Sequence, residues 1–349
     1  MRGTTGTALV LVAASLAASC ASKWALSTTP SPVSLQWPYA PSPPKLTFLE
    51  SWAGFSQRKG GKAALQMFVY GGDRAAHDAF ALPVAVATGA DGRIAVADLG
   101  RRCVHLFVPS EQRYACLTGE PGERLVSPVA VAFDDQLRLY VSDSAGRVLS
   151  FGADGTQRLS ITKAGEDTLK RPTGLAFSPR RQLLYVVDTL ANRVDAFGPD
   201  GAFRFAFSGK SDDPDRFNFP THIYRTTAGE LVVTNALAFR IEVFDEDGAP
   251  KGAFGRHGDG SGDLAMPKGV AVDADGVVYV VDGLFDNVQL FSREGEFLLT
   301  LGQRGTGYGE FWLPSGAFID DNQRLYVCDT YNRRIQVFRI AERYADTTR

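Results

Sequence analysis

The side chains able to ligate a metal or attack a substrate are few: four histidines and four cysteines in 349 residues. One stands out by its place. Along the series Ala85, Ala130, Gly174, His222, Gly269 and Gly316, each two residues after a recurring proline, an imidazole replaces a small residue. Histidine can bind a metal or move a proton near neutral pH. Zinc, however, needs about three or four protein ligands, and calcium about six oxygens. One candidate ligand among these positions argues against a metal-dependent reaction there, and no metal or other cofactor is expected. Two roles then fit His222: a plug that fills a crowded centre and bonds a carbonyl, or a group that contacts a ligand.

The cysteines divide differently. Pairing Phe107 with Gln112 across a hairpin turn sets Cys103 opposite Cys116, which suits either a disulfide or two free thiols. Cys328, beside Val327, is expected as a small core residue. None is placed as a nucleophile beside a histidine.

What must position these residues is a repeat. From Pro267 to Gly305 the chain holds four short runs rich in Val, Leu and Phe, separated by Asp275-Gly276, Asp282-Gly283 and Glu294-Gly295. That pattern predicts an antiparallel meander. A sheet this small cannot bury both faces alone, so copies are expected. The opening proline recurs as Pro83, Pro128, Pro172, Pro220, Pro267 and Pro314, at intervals of 45, 44, 48, 47 and 47 residues. The residue ending the second strand recurs as Asp98, Asp143, Asp188, Asn235, Asp282 and Asp329, and the aromatic ending the third as Phe107, Phe151, Phe197, Phe244, Phe291 and Phe338. Four strands in a period of forty-odd residues predict an all-β, six-bladed β-propeller over residues 64–340. Small residues near the axis let inner strands crowd together, and the aspartate can bond amides of the turn that follows it. The sixth copy lacks a fourth strand, and Leu65 to Gly72 resembles one, so this segment is expected to close the ring.

Two stretches carry resemblances. Pro172 to Phe177, Leu184 to Asp188 and Asn192-Arg193-Val194, like Pro314 to Phe338, resemble the NHL repeat. That resemblance implies the propeller fold and leaves function open, since such propellers include binding modules and enzymes. Enzymes of the peptidyl-hydroxyglycine lyase or gluconolactonase-like kind would be expected to hold a metal on the axis. Ahead of the repeats, residues 1–19 read as a signal peptide with an apolar run from Ala8 to Ala18, too short to span a bilayer. Ala17-Ala18-Ser19-Cys20 is similar to a bacterial lipobox, implying lipidation of Cys20 and, with Ala21 following, an outer-membrane location facing the periplasm. Residues 20–44, rich in proline and serine, are expected as an extended tether, with docking of Trp24 and Trp37 onto the domain as the alternative; residues 45–63, of which Lys45 to Phe55 could add a strand, are unplaced, and 341–349 form a tail.

The formal net charge of −2 gives no electrostatic case for nucleic acid. The loops joining second to third strands, and one blade to the next, share a face in propellers. Here they carry Arg101, Arg102, Phe239, Arg240, Phe285, Tyr308, Trp312, Tyr331 and Arg333. Rim aromatics and arginines suit a protein contact, although Phe239, Phe285 and Tyr331 also suit packing beneath their own loops. The expectation is therefore a noncatalytic, lipid-anchored, protein-binding platform in the cell envelope, with a channel-centred enzyme as the alternative.

Overall fold

The computed structural model describes residues 23–58, 79–208 and 217–341. Six antiparallel sheets stand around one axis, with consecutive inner strands packed against each other and that of the sixth blade against that of the first. Blade 5 shows the unit: Pro267–Val272, Val278–Asp282, Asn287–Phe291 and Phe297–Leu301. The chain is a six-bladed β-propeller with four-stranded blades.

Each blade alternates apolar side chains between its two faces, and the hydrophobic clusters lie between neighbouring blades. Tyr140, Tyr185, Tyr279 and Tyr326 occupy the same position on four second strands and are fully buried. Their hydroxyls find partners: Tyr279 donates to Asp273 and Tyr326 to Asp320, at 3.0 and 2.9 Å.

The small residues near the axis have a sharper cause than crowding of the channel. A Cβ on Gly316 would sit 2.4 Å from the carbonyl oxygen of Val84, and one on Gly174 would sit 2.8 Å from the Cα of His222. The glycines thus admit the next blade's inner strand. The aspartates also do more than cap their own turn. Asp282 accepts the amides of Leu284 and Phe285 after it, and those of Ala265 and Met266 where the chain turns into the same blade's inner strand. Asp98, Asp143 and Asp188 receive the matching pair of amides in their blades. One carboxylate therefore ties the inner strand's start to the second strand's end.

An N-terminal strand closes the ring as expected, but a different segment supplies it. The strand completing blade 6 is Leu46–Arg58, paired antiparallel with Arg334–Ile340 from Ile340↔Leu46 to Ile335↔Trp52. The expected closing segment, Leu65 to Gly72, lies outside the described residues. Leu46–Arg58 wins the position through burial: Leu46, Phe48, Trp52 and Phe55 are all buried, and Trp52 packs on Tyr326 at 5.1 Å. For residues 23–37 the docked alternative to a free tether is the one observed. Lys23–Pro30 pairs with Leu46–Arg58 as a fifth strand, and Gln36–Trp37 pairs with its start. Trp24 lies against Tyr114, and Trp37 is buried against Phe338, so the tryptophans fasten a proline-rich segment to the domain. Residues 1–22, with Cys20, and 342–349 lie outside the described residues.

Candidate functional site

Three places warrant a chemical reading: the channel, the disulfide-bearing edge of blade 1, and the loop face.

In the channel, His222 lines a cavity of about 240 Å3 together with Ala85, Tyr224, Arg225, Gly316 and Asp321. The imidazole has no hydrogen-bond partner among the described residues, so the expected bond to a carbonyl is not made. Desolvation pushes its pKa down to about 4. At neutral pH the ring is uncharged and a weak base. Its neighbours at the equivalent positions offer methyl groups or hydrogens, so His222 fills space at the axis, and the polar groups that share its cavity come from Tyr224, Arg225 and Asp321.

On blade 1, Cys103 and Cys116 are joined by a disulfide, with their Cα atoms 5.8 Å apart. The register differs from the expected one. Phe107 faces Tyr114, and His105 faces Cys116, because a 3-10 turn at Pro109–Glu111 lengthens the hairpin, leaving the cysteines diagonal neighbours. His105, fully buried, was not singled out by sequence. Its Nε2 lies 3.3 Å from Asp98 Oδ2 and its Nδ1 2.8 Å from the Tyr114 hydroxyl. Burial raises the Asp98 pKa, but the His105 bond and three backbone amides outweigh it and hold the carboxyl below its usual range. With Asp98 ionised, Nε2–H donates and Nδ1 accepts from Tyr114. Donor atoms of Cys103, His105 and Cys116 lie within 4.8 Å of one another, yet the disulfide commits two of the three. Cys328 is free and fully buried, and desolvation raises its thiol pKa beyond the range where thiolate forms.

The loop face is the most distinctive surface. At the residue two beyond the blade aspartate stand Gly100, Ala145, Leu190, Leu237, Leu284 and Tyr331. The last four are exposed by 52%, 54%, 62% and 50%, so four consecutive blades each raise one large apolar side chain at the same height. Trp312, 40% exposed, lies beside Tyr331 with ring centroids 5.7 Å apart. Short 3-10 turns at Thr189–Ala191 and Ala236–Ala238 lift the blade 3 and blade 4 residues outward. Single exposed leucines are ordinary on a surface, but an arc repeated by the symmetry of the ring is not.

The residues expected on this face sort into two groups. Trp312, Tyr331, Arg102 and Arg333 are exposed. Phe239, half-buried, packs on His257 at 4.3 Å, and Tyr308 packs on Phe48 at 5.2 Å. Phe285 and Arg240 are half-buried, and Arg101 donates to the Ala79 carbonyl. The three leucines lack the ring or charge that marked the expected residues of this face. Their shared offset from the aspartate was the available signal.

A family model described as DUF5128, 6-bladed beta-propeller, matches residues 272–349. No curated protein matches the sequence. Among solved structures, a protein of unknown function from Bacteroides thetaiotaomicron is similar at 15% identity and a TM-score of 0.59, covering 77% of this chain and 71% of its own. A virginiamycin B lyase from Staphylococcus aureus is similar at 13% identity and 0.55, covering 74% of this chain and 95% of its own. A gluconolactonase from Xanthomonas campestris is similar at 19% identity and 0.56, covering 75% and 87%. Similarity at these identities shows the fold; binding and enzymatic proteins share it.

Proposed function

We propose that this propeller is a noncatalytic, lipid-anchored platform in the bacterial cell envelope that binds a protein partner through its loop face. The observation that carries this reading is the apolar arc of Leu190, Leu237, Leu284 and Tyr331, with Trp312 beside it. Apolar anchors with exposed arginines, here Arg102 and Arg333, on the same face are the composition of a protein contact. The opposite end of the domain suits an anchor. The Trp24 amide donates to the Gln112 carbonyl at 2.8 Å, in the turn joining blade 1's third and fourth strands, on the face away from the arc. Cys20 precedes Lys23 by three residues, so a lipid there would hold the domain close to the bilayer.

The enzymatic alternative has less to work with, since the His222 imidazole is neutral and, among the described residues, holds no hydrogen bond to Tyr224, Arg225 or Asp321, which share its cavity. A photo-crosslinking amino acid placed at Leu237 or Leu284 in cells should trap a discrete partner. The same probe at Ala153, on the opposite face, should not. Equal trapping at both places would defeat the assignment of the face. A Cys20→Ser variant should leave the membrane fraction, and its retention there would defeat the anchor.

A further inference from the structure

On the outer strand of each blade, one position faces the residue just before the third-strand aromatic. Cross-strand register aligns Ala115 with Leu106, Leu159 with Ser150, Phe205 with Ala196, Leu299 with Leu290 and Glu50 with Val337; in blade 4 the position facing Val243 is Gly252, which alone has no side chain. Phe205 and Leu299 pack into the clusters between their own blade and the next. Blade 4 has nothing there to do the same. A Cβ built on Gly252 meets no atom within 4 Å, and a cavity of about 580 Å3 opens between blades 4 and 5 on the face opposite the apolar arc.

The cavity has walls of two kinds. Val232, Val243, Phe254, Val272 and Val278 form an apolar floor. At the mouth, Arg293 Nη2 and Lys251 Nζ converge on one oxygen of Glu230, at 2.7 and 3.4 Å, while their side chains stay 64% and 48% exposed. Each cation spends one N–H on Glu230 and keeps others without an acceptor among the described residues. Of the acidic side chains at the mouth, Asp273 is filled: it accepts from Lys45, the Tyr279 hydroxyl and the amides of Asp275 and Val277. Asp275 has Lys45 Nζ at 3.9 Å, and Glu294 completes the rim. The volume lies within the range of small-molecule sites, and an apolar floor with a few converging polar groups is their usual make-up.

We infer that the gap left by Gly252 is a binding site for a small amphipathic anion, its apolar body on the valine floor and its anionic head bridging Lys251 and Arg293. This site is independent of the loop face, and its failure would leave the partner surface untouched.

The probe is 8-anilinonaphthalene-1-sulfonate, an aromatic body with one fixed negative charge, titrated into the full-length protein and followed by fluorescence. Saturable binding at one site per chain is expected. Gly252→Leu should fill the gap, weaken binding at least about tenfold and raise the thermal midpoint; Gly252→Ala should have the same effects to a smaller degree. Lys251→Met with Arg293→Met should weaken the dye about tenfold while keeping the floor. As competitors, octanoate should displace the dye more readily than octanol, and octylammonium least. Unchanged dye binding in folded Gly252→Leu and Gly252→Ala variants would overturn the site. Displacement by octylammonium as readily as by octanoate would overturn the anionic head.

Discussion

Asp195 offers a quantitative test of how the repeat tolerates substitution. Its position on the third strand of blade 3 corresponds to Gln289 and Gln336 in blades 5 and 6. There the amide reaches the loop that precedes the blade: Gln289 donates to Asp263 O and accepts from Gly262, and Gln336 does the same with Glu310 O and Gly309. Asp195 is one methylene shorter and fully buried, and neither carboxylate oxygen makes a well-aligned hydrogen bond. Its nearest charge is Arg193, whose Nε lies 2.8 Å from Oδ1 and whose Nη1 is drawn off by Asp167. Desolvation dominates and pushes the carboxyl up to about 6, with Arg193 opposing and Asp188 adding to the rise. A folded pKa above the unfolded one means that the folded state holds the proton more tightly. The associated stability is present below the unfolded pKa and is lost as pH rises through about 6. At about 1.4 kcal/mol per pKa unit, the loss at pH 7 amounts to about 2–3 kcal/mol. Asp195→Asn should therefore be more stable than the parent at pH 7 by about that amount and nearly equal to it near pH 4. His222, neutral when folded, loses stability as pH falls through its own range, so the difference between variant and parent is the proper reading. Denaturant midpoints at half-unit pH intervals supply it. A difference that stays constant from pH 4 to 7 would refute the reasoning.

Two further outcomes test closure and crosslinking. Trp52→Ala, at a residue 3% exposed and packed on Tyr326, should cost about 3–5 kcal/mol in denaturant unfolding, whereas a loss under about 1 kcal/mol would mean that Leu46–Arg58 does not hold blade 6. Replacing Cys103 and Cys116 by serine should lower stability by about 2–4 kcal/mol, matching the effect of a reductant on the parent; insensitivity to both would contradict the bond.

The ring was legible because the markers that carry it are mechanical. The proline, the aspartate and the third-strand aromatic each do one job per blade, so spacing alone reveals the count. Closure was less legible, for a physical reason. Leu65 to Gly72 has the alternation and terminal glycine of an outer strand, and a local pattern cannot tell which of two such segments reaches the open edge. Leu46–Arg58 follows a proline-rich stretch whose composition suggested a free tether, yet Trp24 and Trp37 dock it. The turn at Pro109–Glu111 shifted the cysteine register because a turn's length is set by its backbone conformation, here a left-handed Gln112, and hairpin alignment to another blade does not carry it. On the loop face, exposure separated Tyr331 and Trp312 from Phe239 and Tyr308, a distinction set by neighbours distant in sequence. Gly252 was invisible for the opposite reason: a missing side chain has meaning only against the residues its counterparts touch.

The claim on which the functional account turns is that binding belongs to the rim and not to the channel. The direct measurement is native mass spectrometry of the protein extracted from envelopes, comparing the parent with a Leu190→Ser, Leu237→Ser, Leu284→Ser, Tyr331→Ser variant and with His222→Ala. The account predicts that the rim variant loses a co-purifying protein that the parent and His222→Ala both retain. Loss of that protein from His222→Ala, with retention by the rim variant, would contradict it.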